Sequence, residues 1–162
     1  MLSPTIEKAL NDQLHEEMFS FYLYLSMSAY LQSLNLTGMA SWMAKQAKEE
    51  LGHAMKFFEF IHERSGRVTL ESLAKPDSEW ASPQAAFEAA LAHERHITSC
   101  IHKLVDLAQG ERDHATANFL QWFVKEQVEE EATAEGIVNR FKMAAGHPAA
   151  MMFMDRELGA RQ

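Results

Sequence analysis

Four stretches of this chain repeat apolar residues in alternating steps of four and three, and each turns polar at its centre. The first seam runs Leu10, Leu14, Glu17, Phe21, Tyr24, Ser28, Leu31, and the second Met39, Met43, Gln46, Glu50, His53, Phe57, Phe60. The third runs Phe87, Leu91, Glu94, Thr98, Ile101, Val105, and the fourth Leu120, Phe123, Gln127, Glu130, Ala134, Ile137, Phe141. Such spacing marks helices that each bury one stripe. The polar centres restrict the fold further. Glutamate is rarely buried unless paired or coordinated, because desolvating a lone carboxylate is very costly. Where four helices turn such groups inward at one height, the economical partner is a cation held between them. Glu50-x-x-His53 sharpens this reading, since it puts a carboxylate and an imidazole one turn apart on a single face.

Punctuation along the chain agrees with the seams. Ser3-Pro4 and Ser82-Pro83 read as N-cap and first-turn pairs, and Thr37 as the cap of the second helix. Gly66, Gly110 and Gly146 with Pro148 read as stops. The expected helices cover residues 4–33, 38–65, 83–109, 112–145 and 149–158, with an irregular connection over 66–81. A structureless loop of about 15 residues is unusual in a compact domain, but it can run the length of a ~40 Å helix. The second and third helices then lie parallel. The expectation is an all-α four-helix bundle with one long crossover and a short fifth helix, as one domain over residues 1–162.

Composition removes several alternatives. Cys100 is the only cysteine, so no disulfide framework or thiolate cluster exists. A formal charge of −8 without a basic arm argues against a nucleic-acid partner. No run is apolar for long enough to span a membrane, and the N-terminus does not read as a signal peptide, so the expected compartment is the cytoplasm. Glu126, Glu129, Glu130 and Glu131 crowd the fourth helix, as Glu49 and Glu50 do the second. Like charges at i,i+4 cost a few tenths of a kcal/mol each, which a bound cation would offset.

Local motifs carry a resemblance. Leu10-Asn-Asp-Gln, Leu25-Ser-Met-Ser-Ala29, Glu49-Glu-Leu-Gly-His53 and Phe119-Leu-Gln-Trp-Phe-Val-Lys-Glu-Gln-Val-Glu-Glu-Glu131 occur in order along nearly the whole chain. With them the chain resembles the bacterial non-haem ferritins, and the implied fold is the ferritin-like bundle. The resemblance implies that Glu17, Glu50 and His53 hold one iron. It implies that Glu50 as a bridge, Glu94, and Gln127 or Glu130 hold a second. Tyr24 matches the tyrosine beside the ferroxidase centre, and Glu49, Glu126, Glu129 and Glu130 match a third iron position. The implied activity is oxidation of Fe²⁺ by O₂ or peroxide and storage as ferric mineral in a homo-oligomeric cage of 24 subunits. Residues alone also admit a di-iron oxidase or peroxidase with no storage role, or a structural bundle that tolerates its inward glutamates.

Departures refine that expectation. Relatives with two Glu-x-x-His motifs form a separate group; here the second position reads Gln127-Val-Glu129-Glu130. Leu51 stands where haem-binding relatives place a methionine, so no haem is expected. Thr116-Ala-Asn-Phe-Leu120 lacks the carboxylates that line the iron channel of animal ferritins. His93, His96 and His102 read as surface histidines, and Met39 and Met43 as packing. Trp42, Trp80 and Trp122 read as core or interface anchors. The fifth helix, with Met151, Met152 and Met154, is expected at a subunit contact around a fourfold axis.

Overall fold

A computed structural model describes residues 1–162, and its regular structure is entirely helical. The elements are α1 (Pro4–Ser33), α2 (Thr37–Glu63), α3 (Pro83–Gly110), α4 (His114–Ala144) and α5 (Pro148–Gly159). Ser3 and Ser82 cap α1 and α3 as expected, accepting from the N–H groups of Ile6 at 3.2 Å and Ala85 at 3.1 Å.

Three helix ends differ from expectation. Thr37 is the first residue of α2, and its side chain makes no cap. Asp155 of α5 serves instead, its Oδ1 accepting from the Met39 N–H at 2.8 Å. Asp113 caps α4 and accepts from the Thr116 N–H at 3.0 Å, so that helix starts at His114 rather than 112. Arg64 holds Asp113 with a fork of two hydrogen bonds, at 3.0 and 3.2 Å. The left-handed residues that close the helices are Asn35, Ser65, Arg112 and Ala145, with Gly146 following. The expected stop at Gly66 is thus anticipated by Ser65, and α2 ends at Glu63.

Two apolar clusters fill the bundle. One joins the end of α1, the starts of α2 and α3, the end of α4, and α5; Leu31, Met43, Phe87 and Phe141 lie in it. The other joins the opposite ends, with Leu10, Phe57, Ile101 and Phe123. α2 and α3 therefore run parallel, as do α1 and α4, and segment 64–82 makes the crossover. It lies along α1. Asn11 donates to the Arg67 carbonyl at 3.0 Å and accepts from the Thr69 N–H at 2.8 Å. Near the far end of the helix, Ser26 and Tyr30 donate to the carbonyls of Asp77 at 2.6 Å and Trp80 at 3.0 Å.

α5 docks on the first turn of α2 through two glycines. A Cβ on Gly38 would lie 1.8 Å from the Asp155 carbonyl oxygen, and one on Gly159 would lie 2.8 Å from the Gly38 Cα. No helix is long and apolar enough to cross a membrane. Between the two apolar clusters lies a layer of polar side chains.

Candidate metal centre

The polar layer takes side chains from all four long helices. Gln13 and Glu17 come from α1, Gln46, Glu50 and His53 from α2, Glu94 from α3, and Gln127 and Glu130 from α4; all are buried. Glu17, Glu50 and His53 bring one ligand atom each within 4.8 Å of one another, and so do Glu50, Glu94 and Glu130. Glu50 belongs to both trios. Two cation positions sharing one carboxylate is the arrangement of a paired-metal site. His53 turns its Nδ1 inward, 3.2 Å from Glu50 Oε2 and 3.8 Å from Glu17 Oε2.

Neutral donors hold the carboxylates in place. Gln13 Nε2 donates to Glu17 Oε1 at 2.9 Å. Gln46 Nε2 donates to Glu50 Oε1 at 3.0 Å and Glu130 Oε2 at 2.8 Å, joining the two helices that face one another. Gln127 Nε2 reaches Glu94 Oε2 at 3.1 Å, and the Tyr24 hydroxyl donates to Glu94 Oε1. One atom is left out. Glu17 Oε2 is fully buried and has no hydrogen-bond partner. An unpaired buried oxygen costs about 1–3 kcal/mol. It points into the first trio, where a cation would complete it, and the carboxylate and imidazole donors suit iron.

Without a cation, protons fill the same need. Burial and the charge of Glu50 push the Glu17 carboxyl well above its usual range. Burial, then Glu50 and Glu130, raise Glu94 to about 8. Burial and Glu50 raise Glu130 to about 7. Burial alone would lower His53, but its hydrogen bond to Glu50 and the surrounding carboxylates raise it to about 9. Tyr24 is pushed well above its usual value by burial and by Glu94, so its phenol stays protonated.

The outer carboxylates are spread more widely. Glu126 is half-buried, 4.0 Å from His53 Nε2, and forms a third trio with His53 and Glu130. Glu49 is exposed and pairs with Arg161 at 2.7 Å. Glu129 is exposed and makes no ion pair with the centre. Arg161 carried no sequence signal. It lies over the Trp42 ring at 4.7 Å and donates to Gln46 Oε1 at 3.0 Å, linking the end of the chain to the polar layer. Gln46 was visible on its seam, one turn before Glu50, but its bridging role shows only when α4 is in place.

One of the histidines needs correction. His93 is not a surface group: it is half-buried against Tyr24 and lies 2.7 Å from Ser20 Oγ. His96 is exposed but is answered from α1, by Glu16 at 3.0 Å. Trp42 is buried, whereas Trp122 is 40% exposed and packs edge-on to His53.

Residues 7–144 match the family model for the ferritin-like domain. The chain belongs to the ferritin family. It is 43% identical over 161 residues to the bacterial non-heme ferritin of Bacteroides fragilis strain 638R, covering 99% of this chain and 100% of that one. The bacterial non-heme ferritin of Staphylococcus aureus strain USA300 is 34% identical over 161 residues, covering 99% and 97%. Among solved structures, the open pore ferritin of the hyperthermophilic archaeon Archaeoglobus fulgidus is 49% identical over 100% of both chains, with a TM-score of 0.99. A closed form of that ferritin, engineered by site-directed mutagenesis, is 50% identical, also at 0.99, covering 100% of this chain and 99% of that one. Membership in a ferritin family and a set of carboxylate and histidine clusters make iron the metal to test first.

Proposed function

We propose that this ferritin subunit oxidises Fe²⁺ at the polar layer and stores the product as ferric mineral inside a cage. The observation that carries the reading is the pair of trios sharing Glu50, with Glu17 Oε2 left unpartnered beside them. Glu17, Glu50 and His53 take one Fe²⁺. Glu50, Glu94 and either Gln127 or Glu130 take the second. Binding displaces protons held by Glu17, His53, Glu94 and Glu130, so each carboxyl becomes an anion and the imidazole becomes neutral as a cation arrives. Two Fe²⁺ supply two electrons, which with two protons reduce O₂ to H₂O₂, or H₂O₂ to water. The protein's part is to hold both ions and the oxidant at contact distance and to neutralise charge as Fe³⁺ forms. Tyr24 keeps Glu94 oriented throughout.

Fe³⁺ then leaves, hydrolyses to oxide and releases protons. Glu49, Glu126, Glu129 and Glu130 offer a third position, which requires Arg161 to release Glu49. Storage needs a closed shell, for which 24 copies of the chain are proposed, in the cytoplasm. α5 supports assembly, because Met152 is 74% and Phe153 62% exposed on the single chain.

The test is an aerobic titration of metal-free protein with Fe²⁺. A fast phase should saturate at two ions per subunit, or three where the outer position fills. Oxidation at the protein-free rate at every ratio would refute the ferroxidase reading.

A further inference from the structure

A second group of metal-ligand side chains lies outside the polar layer, on the face where α1 meets α3. Glu16 Oε2 is 3.0 Å from His96 Nε2, and Cys100 Sγ is 3.6 Å from the same nitrogen. One atom from each of the three lies within 4.8 Å of the others. His96 and Cys100 stand four residues apart on α3, so one helix face presents both.

The two separations from His96 Nε2 lie close to those around a tetrahedral ion. With bonds of about 2.3 Å to sulfur and about 2.0 Å to nitrogen, N···S comes to about 3.5 Å and N···O to about 3.3 Å, against 3.6 Å and 3.0 Å in the structure. Protons satisfy the trio less well. His96 Nε2 has one proton or one lone pair to offer, yet it faces both a carboxylate oxygen and a sulfur. A cation among the three engages all of them at once. A groove of about 260 Å³ opens beside Glu16 and Cys100, giving access and room for a water in the fourth position. Asp12 and Lys103 also line that groove. Asp12 is held by Lys8 at 2.6 Å, so it is not counted as a ligand.

We propose that Glu16, His96 and Cys100 form a second, solvent-accessible site for a borderline divalent ion of the Zn²⁺ type, separate from the inner centre. Donor chemistry distinguishes the two. The inner set is carboxylate, amide and imidazole, which suit iron, whereas the outer set adds a thiolate, which favours zinc. With three protein ligands and a water, the outer site binds reversibly.

The experiment uses Co²⁺ as a spectroscopic stand-in for Zn²⁺ on metal-free full-length protein. A thiolate-to-cobalt charge-transfer band should appear, since the inner centre contains no sulfur. The band should vanish in Cys100→Ser and need at least tenfold more Co²⁺ in His96→Ala and Glu16→Gln. It should persist in Glu50→Ala, which disables the inner centre. Zn²⁺ should remove the band and protect Cys100 from alkylation, and a chelator should restore reactivity. Absence of the band at any ratio would overturn the site. So would unchanged Co²⁺ affinity in both His96→Ala and Glu16→Gln, which would leave the thiol binding alone. Loss of the band in Glu50→Ala would also overturn it, by merging the two sites. None of these readouts depends on iron oxidation, so failure here leaves the ferroxidase reading standing.

Discussion

Glu17 is the residue at which stability and function pull apart. Its Oε2 is buried without a partner, so the metal-free fold carries a cost that a bound ion removes. Glu17→Gln should raise the melting temperature of the metal-free subunit by a few degrees, at about 1 kcal/mol and about 2–4 °C per kcal/mol for a chain of this size. The same change should shrink the stabilisation that added metal gives. Calorimetry with and without metal checks both halves, and a lower metal-free melting temperature would contradict the argument. Glu50→Ala should abolish the fast oxidation phase altogether, because Glu50 serves both trios. The pH dependence has a definite sign. Glu94 at about 8, Glu130 at about 7 and His53 at about 9 all lie above their unfolded values, so the native state binds more protons than the unfolded one. Metal-free stability should therefore be greatest below pH ~4.5 for these groups' part and fall as pH rises through 7 to 9. Metal should reverse that trend, and its affinity should drop as pH falls from about 9 through 7, because each of these ligands must give up its proton to bind. The burial of Glu17, Glu50, His53, Glu94, Gln127 and Glu130 was legible in the sequence because each interrupts the middle of an apolar seam. Arg161 and Glu16 gave no such sign. Each is an ordinary charged residue until another helix is folded against it.

At the level of elements, seams were read best where the buried stripe is straight. All seven seam positions named in α2 are buried, and so are all seven in α4. In α1 and α3 the seam was drawn about one residue off in places. Gln13, Ser20 and Met27 are buried where Phe21 and Ser28 are only partly so, and Ile97 and Leu104 where Thr98 and Val105 are. These two helices pack on the crossover or on each other as well as on the core, so a single stripe does not describe them. Helix ends show the limit of local signals, since α2 is capped by Asp155 from α5, more than a hundred residues away. Asp113 is the local counterpart. Partial burial alone would raise its carboxyl, but Arg64 and the cap at Thr116 hold it down at about 2. A depressed carboxylate stabilises above its unfolded value and loses that effect as pH falls from about 4 to about 2. Asp113→Ala should cost about 1 kcal/mol after allowance for solvent screening, seen as a lower denaturant midpoint at neutral pH and a smaller difference from the parent near pH 2. Arg161 tests the link between the chain's end and the metal centre. Arg161→Ala frees Glu49 and unties Gln46. It should leave the first two iron equivalents in place and raise occupancy of a third, read by titration against the parent. A drop in the first two would instead make the arginine a support of the inner centre.

For the whole molecule, the question is what joins the proposed oxidation to storage. The bundle assembles its candidate metal centre within one chain, because α1, α2, α3 and α4 supply every side chain of the polar layer. A mineral core, by contrast, needs an enclosed volume that a single bundle lacks. The two properties should therefore be separable by a substitution that touches only assembly. α5 is the element to change. Met154 and Leu158 turn into the core, while Met152 and Phe153 point away from it, a large apolar area for a monomer to leave in water. Phe153→Glu places charge on that outward side without disturbing the docking of Gly38 against Gly159. The subunit should keep its helix content and its two-equivalent fast phase. Sedimentation should show species much smaller than the parent cage, and ferric product should precipitate from solution instead of staying with the protein. A Phe153→Glu protein that sediments like the parent and retains mineral would remove α5 from the assembly contact. One that loses the fast phase along with the shell would show that the centre depends on assembly after all, by way of the α5 docking that sets Arg161 against Gln46 and Glu49.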